Sequence, residues 1–236
     1  MKPSKKLAYW VGVAQSDGHY KIYNERRGAK LIERHIIQLG VGIKSLPMLK
    51  KFESISQKIF GTSGNYCMDK RKKYRFEIKI KRFLNEIKKL NISFSDPPTP
   101  PTWCLENRKY FGAYLAGVID GDGDLRISRS RYPYCAIRIT SGSKQINLRE
   151  GIKTMLNCGC SHRKITRNSE IDGRKIKGTC HVIEFYVTPK NIEMVGQYIF
   201  PEISLIHKRD KLKEYKKLRT MCGDRTRELS DHNRVF

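Results

Sequence analysis

An apolar run that ends in Asp-Gly occurs twice, with 105 residues between the two aspartates. The first copy, Leu7–Tyr23, reads LAYWVGVAQSDGHYKIY, and the second, Tyr110–Ser128, reads YFGAYLAGVIDGDGDLRIS. Aligning Asp17-Gly18 on Asp122-Gly123 sets Gly12 opposite Gly117 and Val13 opposite Val118. Self-similarity at a fixed offset marks a tandem duplication, and each copy must bury its apolar helix against something. Small residues on one face (Gly12 in the first copy; Ala116, Gly117 and Gly121 in the second) let two helix backbones approach closely, so each copy suits the other as partner. Packing them together brings Asp17 and Asp122 to one place. Each Asp-Gly then turns the chain from helix into strand, with Gly18 and Gly123 expected to take the positive φ that such endings often use.

The segments after each copy repeat as well. In the first half, Tyr20–Arg26 and Arg34–Ile43 read as strands, with His35, Ile37, Leu39 and Val41 on one face. Leu46–Phe60 keeps helical spacing and stops at Gly61. Strands come next at Asn65–Lys70 and Tyr74–Ile80, then a helix at Arg82–Leu90. The second half gives strands at Leu125–Arg131 and Tyr134–Ser141, a helix at Lys144–Asn157, strands near Cys160–Arg167 and Thr179–Thr188, and helices at Lys190–Phe200 and Ile206–Met221. The fold class is α+β, a tandem duplication of αββαββα repeats.

Between the halves, Phe94–Asn107 reads FSDPPTPPTWCLEN. Its four prolines exclude a helix or a central strand and favour a stiff, extended path. The organisation is therefore a first repeat at 1–93, a Pro-rich linker at 94–107, a second repeat at 108–222 and a basic, Asp-containing tail at 223–236.

Charge narrows the partner. Against 23 acidic residues stand 48 Lys and Arg, a formal net charge of +25 in 236 residues. So basic a surface repels itself unless it meets a polyanion, and nucleic acid is the commonest. A membrane is disfavoured: apolar runs fall far short of the ~20 residues needed to span one, and no Lys-rich helix carries a Trp/Phe face. Seven scattered cysteines and no secretion signal point to a reducing compartment, prokaryotic cytoplasm or an organelle. Cys158, Cys160, His162 and Cys180 lack a C-x-x-C knuckle, so the cysteines read as small apolar residues, not zinc ligands. His35 and His181 read as core histidines, and Trp10 as packing.

Two carboxylates meeting at helix C-termini oppose one another and the helix dipoles. A divalent cation relieves that, and an oxygen-rich site completed by phosphates and water suits Mg²⁺ and metal-assisted phosphodiester hydrolysis. At this point Trp10–Gly18 (WVGVAQSDG) and Leu115–Gly123 (LAGVIDGDG) resemble the two copies of the motif that defines the LAGLIDADG homing endonucleases. The first copy matches mainly at Gly12, Asp17 and Gly18.

The resemblance implies a monomeric, pseudo-twofold enzyme whose motif helices pack at the repeat interface while antiparallel sheets form a DNA-binding saddle. It places the catalytic, metal-holding acids at Asp17 and Asp122, with backbone carbonyls from Ser16 and Gly121 and two or more Mg²⁺ ions at the interface. The family's other motif acid is Asp120 in the second copy and Gln15 in the first, a helix-end position. A basic residue near scissile phosphate falls on Lys79, which shares a strand face with Arg75; the second repeat offers Thr188 or Lys190. Strand alternation assigns DNA readout to Lys21, Tyr23, Arg34, Gln38, Arg75 and Lys79, then Arg126, Ser128, Ser130, Tyr132, Tyr134 and Arg138.

The function expected is site-specific cleavage of both strands of a long double-stranded DNA target, leaving short 3′ overhangs, by an intron-encoded enzyme. The alternatives are an RNA-binding maturase that helps its own intron fold, one chain doing both, or a transcription regulator on the same fold. Retention of both acids speaks for the nuclease, since neither rival needs them.

Overall fold

The computed structural model describes residues 1–61, 64–68, 74–94, 97–129, 133–171 and 174–221. The first motif helix, α1 (Lys5–Ser16), starts where the Ser4 hydroxyl accepts a hydrogen bond from the Leu7 N–H. Nine consecutive residues, Leu7 to Gln15, are buried. A helix apolar on every side has to lie inside a core rather than on a surface. The chain then enters β1 (Gly18–Arg27) and β2 (Lys30–Val41), crosses helix α2 (Leu46–Phe60), and returns through β3 (Asn65–Met68) and β4 (Tyr74–Lys79) to the short helix α3 (Leu84–Lys89).

The second repeat takes the same path. A single-turn helix, α4 (Thr102–Leu105), precedes it, and helix α5 (Arg108–Asp122) is capped by Asn107, whose side chain accepts from the Lys109 N–H. Next come β5 (Gly123–Ser128), β6 (Tyr134–Ser141), α6 (Ile146–Leu156), β7 (Cys160–Ile171) and β8 (Arg174–Val187). Each repeat builds one four-stranded antiparallel sheet, ordered β1-β2-β4-β3 and β5-β6-β8-β7. One face of each sheet is packed on helices, giving the alternation that made the strands legible.

Four expectations need correction. The Pro-rich stretch does contain a helix, α4, which begins directly after Pro101, where a proline costs a helix nothing. Lys190–Phe200 is not one α-helix: a short α7 (Ile192–Met194) passes into a π-helical turn at Val195–Ile199 and a 3-10 turn at Phe200–Glu202. His181 is not a core residue; it is half-exposed and stacked on His162, ring centroids 5.3 Å apart. His35 is buried as expected, but it bonds the Tyr20 hydroxyl and Glu33.

The fourth concerns the motif glycines. Positive φ among the described glycines is confined to Gly28 and Gly61, and Gly123 sits at φ −84°, ψ 141°. The chain leaves each helix straight into extended backbone. Glycine is needed there for room: a Cβ on Gly18 would lie 2.2 Å from the Ala14 carbonyl oxygen, and one on Gly123 2.5 Å from that of Ile119.

Trp10 does pack. It stacks on Phe52 (5.1 Å), meets Phe60 and Phe94 edge-on, and donates its indole N–H to Ser56 Oγ. The C-terminal helix α8 (Ile206–Met221) has no counterpart in the first repeat and lies along β5. Lys211 donates to the Leu125 carbonyl at 2.6 Å, and Tyr215 to that of Val187 at 2.7 Å.

Candidate functional site

The two motif helices touch backbone to backbone. A Cβ added at Gly12 would stand 2.2 Å from the Tyr114 carbonyl oxygen, and one at Gly117 2.3 Å from that of Tyr9. Tyr9 and Tyr114 are themselves 105 residues apart, so the two contacts are one contact repeated by a pseudo-twofold axis. Only a residue without a side chain permits this approach. Nearer the helix ends, a Cβ at Gly121 would be 2.2 Å from Ser16 Oγ and 3.3 Å from the Asp17 amide nitrogen. The chain at Ser16–Asp17 thus abuts the chain at Gly121, and β1 and β5 both start from this junction.

One turn back, the same axis relates two buried hydrogen bonds. Tyr9 donates its hydroxyl to Asp120 Oδ2 at 2.6 Å, and Tyr114 donates to Gln15 Oε1 at 2.7 Å. Both acceptors also anchor the segment that leaves their own repeat. Asp120 receives the Ser204 N–H (2.7 Å), the Ser204 hydroxyl (2.6 Å) and the Leu205 N–H (3.3 Å). Gln15 accepts the Thr99 N–H at 3.0 Å and donates to the Ser93 carbonyl at 2.6 Å. An all-donor surrounding suits a carboxylate; a carbonyl partner requires an amide. This is why the first motif carries Gln where the second carries Asp. Burial and the adjacent Asp120 push the Tyr9 hydroxyl well above its usual range, so it stays a donor.

Asp17 reaches solvent on one side, yet enough protein crowds it that burial raises its carboxyl above the ordinary value, with Lys208 pulling the other way. Asp122 is half-exposed. Among the described residues no three His, Cys, Asp or Glu side chains converge on one point. A cation here would therefore be held by few carboxylates and the neighbouring backbone carbonyls, and take the rest of its shell from water and phosphate. That donor set is hard oxygen throughout and fits Mg²⁺.

Lys208, which sequence reasoning missed, comes from α8 and donates to the Ile119 and Asp120 carbonyls at 2.6 and 2.9 Å. Nothing in the motif spacing could point to it, since it lies 86 residues beyond Asp122. It stands only four residues past Ser204, however, and Asp120 fixes that residue.

Strand register places the DNA-contact candidates. On the face of the first sheet away from the helices, Lys21, Ile36 and Lys79 form one cross-strand row, and His19, Gln38 and Glu77 the next. The matching rows of the second sheet are Arg126, Ala136 and Tyr186, then Asp124, Arg138 and Glu184. Lys79 and Arg75 are exposed and share this face. The second-repeat counterpart of Lys79 is therefore Tyr186, not Thr188 or Lys190: counting strand length missed the two-residue difference that pairing reveals. Arg75 corresponds to Val182, since Gly40 pairs the former and Thr140 the latter.

Gln38 lies on the right face but is buried, held between Lys21, which donates to Oε1 at 2.5 Å, and Glu77, which accepts from Nε2 at 2.9 Å. Arg138 bonds Glu184, which also accepts from Arg163 and Tyr186. Tyr23 and Arg34 pair directly, as do Ser128 and Tyr134; Arg34 is tied to Glu25 at 2.7 Å. Ser130 and Tyr132 lie outside the described residues.

No family model matches the chain, and neither does any curated protein sequence. Among solved structures, mesophilic variants of the homing endonuclease I-DmoI share the fold with a TM-score of 0.52 at 12% identity, covering 83% of this chain and 95% of theirs. The I-LtrWI LAGLIDADG homing endonuclease bound to target DNA aligns at 15% identity over 93% of this chain and 90% of its own, TM-score 0.47. I-SmaMI bound to cleaved DNA gives 14%, 94%, 89% and 0.49. The tandem α+β architecture expected from the duplicated motif is thus the fold of the chain.

Proposed function

We propose that this chain is a site-specific endonuclease that cuts both strands of a long double-stranded DNA target with Mg²⁺, as the LAGLIDADG homing endonucleases do. One observation carries the reading: two symmetry-related helices deliver an aspartate each to a single junction from which two basic antiparallel sheets begin. Asp17 and Asp122, with the carbonyls of Ser16 and Gly121, would hold the metal. Bound there, the ion lowers the pKa of a water and stabilises charge on the leaving oxygen.

The chain's own residues do the rest. Exposed Lys79, Arg75 and Arg126 meet phosphate oxygens and set the register of the duplex. Gln38 and Arg138, each held by a neighbouring carboxylate, present fixed donors to base edges in the major groove. Lys79 can orient water beside the first half-site, while Tyr186 at the matching place offers a weaker, neutral donor. Both motifs lie in one chain and satisfy each other, which supports a monomer. An intron-encoded origin and short 3′ overhangs belong to the same proposal.

The test is Mg²⁺-dependent cleavage of a plasmid library with randomised or genomic inserts, run beside Asp17→Asn and Asp122→Asn. Discrete double-strand breaks, lost in both variants, are the expected result. Absence of cleavage together with tight binding to structured intron RNA would replace the nuclease with a maturase.

A further inference from the structure

The two motif helices end differently. At the end of α1 the last-turn carbonyls of Gly12 and Val13 are met by a neutral hydroxyl, Ser16 Oγ, at 2.8 and 3.3 Å. The position related to Ser16 in α5 is Gly121, which has no side chain. There the carbonyls of Ile119 and Asp120 are met by the Lys208 ammonium, brought in by a helix that the first repeat lacks. Lys208 is 7% exposed. A lysine so enclosed needs more than two neutral carbonyls to keep its charge, because desolvation disfavours the charged form. The charge is supplied by aspartates: Asp120, Asp17, Asp122 and Asp124 act on it in that order. Arg209, Lys211 and His207 of its own helix add positive charge nearby rather than relieve it.

We infer that Lys208 is a positioning residue that serves as a built-in counter-cation for the joined motif ends, holding the Asp17–Asp122 junction together before a divalent ion arrives and competing with that ion once it does. The inference rests on reading the junction as a divalent-cation site. It makes the two ends unequal, because Lys208 acts on Asp17 more than on Asp122. A lysine that only caps α5 would touch the same carbonyls without any influence on metal affinity.

The experiment is thermal unfolding of the full chain without DNA, in EDTA and across a Mg²⁺ titration, for wild type, Lys208→Gln and Lys208→Arg. Gln keeps an N–H donor for the carbonyls and removes the charge; Arg keeps the charge. Lys208→Gln should unfold several degrees lower in EDTA and regain the difference in Mg²⁺, with a midpoint several-fold lower than wild type. Lys208→Arg should keep the wild-type midpoint. If Lys208→Gln folds only when Mg²⁺ is present, the inference is supported; if it stays unfolded even then, the inference is overturned.

An equal loss of stability with and without Mg²⁺, at an unchanged midpoint, leaves a helix cap and overturns the counter-cation. So does a wild-type chain that shows no Mg²⁺ response. The nuclease reading stands or falls separately, on whether wild type cleaves the insert library.

Discussion

The first repeat and the second share a backbone plan but divide the work unequally. In the first, the motif helix ends on a neutral hydroxyl, its buried polar residue is an amide, and the outward row of the sheet carries Lys21 and Lys79. In the second, the helix ends on an ammonium, the buried residue is a carboxylate, and the row carries Arg126 and Tyr186. The hairpin β7–β8, with strands of 12 and 14 residues, also outreaches β3–β4, with strands of 4 and 6. Duplication fixed what has to be symmetric, the helix contact and the two acids. Everything that faces a particular half of a DNA site was left to diverge.

Cleavage should break the comparison most sharply. Asp17→Asn and Asp122→Asn are each expected to lower double-strand cleavage by about 10³-fold, since the loss of a metal-holding charge is worth several kcal/mol of transition-state stabilisation. Supercoiled-plasmid assays that separate nicked from linear product will show whether the two strands suffer alike. Equal residual nicking in both variants would mean that the asymmetry around Lys208 has no bearing on strand order.

The helix contact comes next, and here the halves should agree. Gly12→Ala and Gly117→Ala each push a methyl group into backbone that cannot yield. Each should cost about 3 kcal/mol or more, at the upper end of overpacking effects. Chemical denaturation of the two variants checks it; a loss in one alone would refute the pseudo-twofold contact.

Exchanging the buried polar letters should cost less. Gln15→Glu sets an acceptor against the Ser93 carbonyl, and Asp120→Asn aims an amide N–H at a surrounding of donors. Each is expected to lose about 2 kcal/mol in the same measurement, the scale of one unsatisfied buried group. The prediction fails if restoring the acid in the first motif stabilises the protein.

The smallest effect is a pH dependence. Burial raises Asp17 from its ordinary 3.8, so its ionised form costs stability above the raised value, and that cost is gone below 3.8. Metal-free Asp17→Asn should therefore be slightly more stable than wild type at neutral pH, with the difference closing as pH falls. Thermal scans in EDTA at neutral and acid pH test the sign.

Elements with a strong period were legible. Leu46–Phe60, Tyr134–Ser141 and Ile206–Met221 keep the bounds their patterns announced, and the duplicated Asp-Gly located the junction itself. Other features depended on information that local pattern does not hold. The glycine conformation was misjudged because an Asp-Gly step is compatible with several exits, and only a carbonyl four residues earlier decides which. The Lys79 counterpart needed cross-strand pairing, which a period-2 pattern leaves free to slide. Lys208 was out of reach because a helix appended after the repeat has no partner copy to compare it with. Asp120 and Gln15 were placed at a helix end by the motif, but the reason for their difference lies in segments 93–99 and 204–205.

The enclosure of α1 has a cost during synthesis. Its nine buried residues find their cover only when α5 has been made, about a hundred residues later. At ~5–20 residues per second, the ribosome leaves that wholly apolar helix without its mate for roughly 5–20 s. A nascent first half should therefore be a strong client for chaperones that bind exposed apolar segments, and truncated chains ending in the Pro-rich crossing should aggregate rather than persist as a half-sized domain.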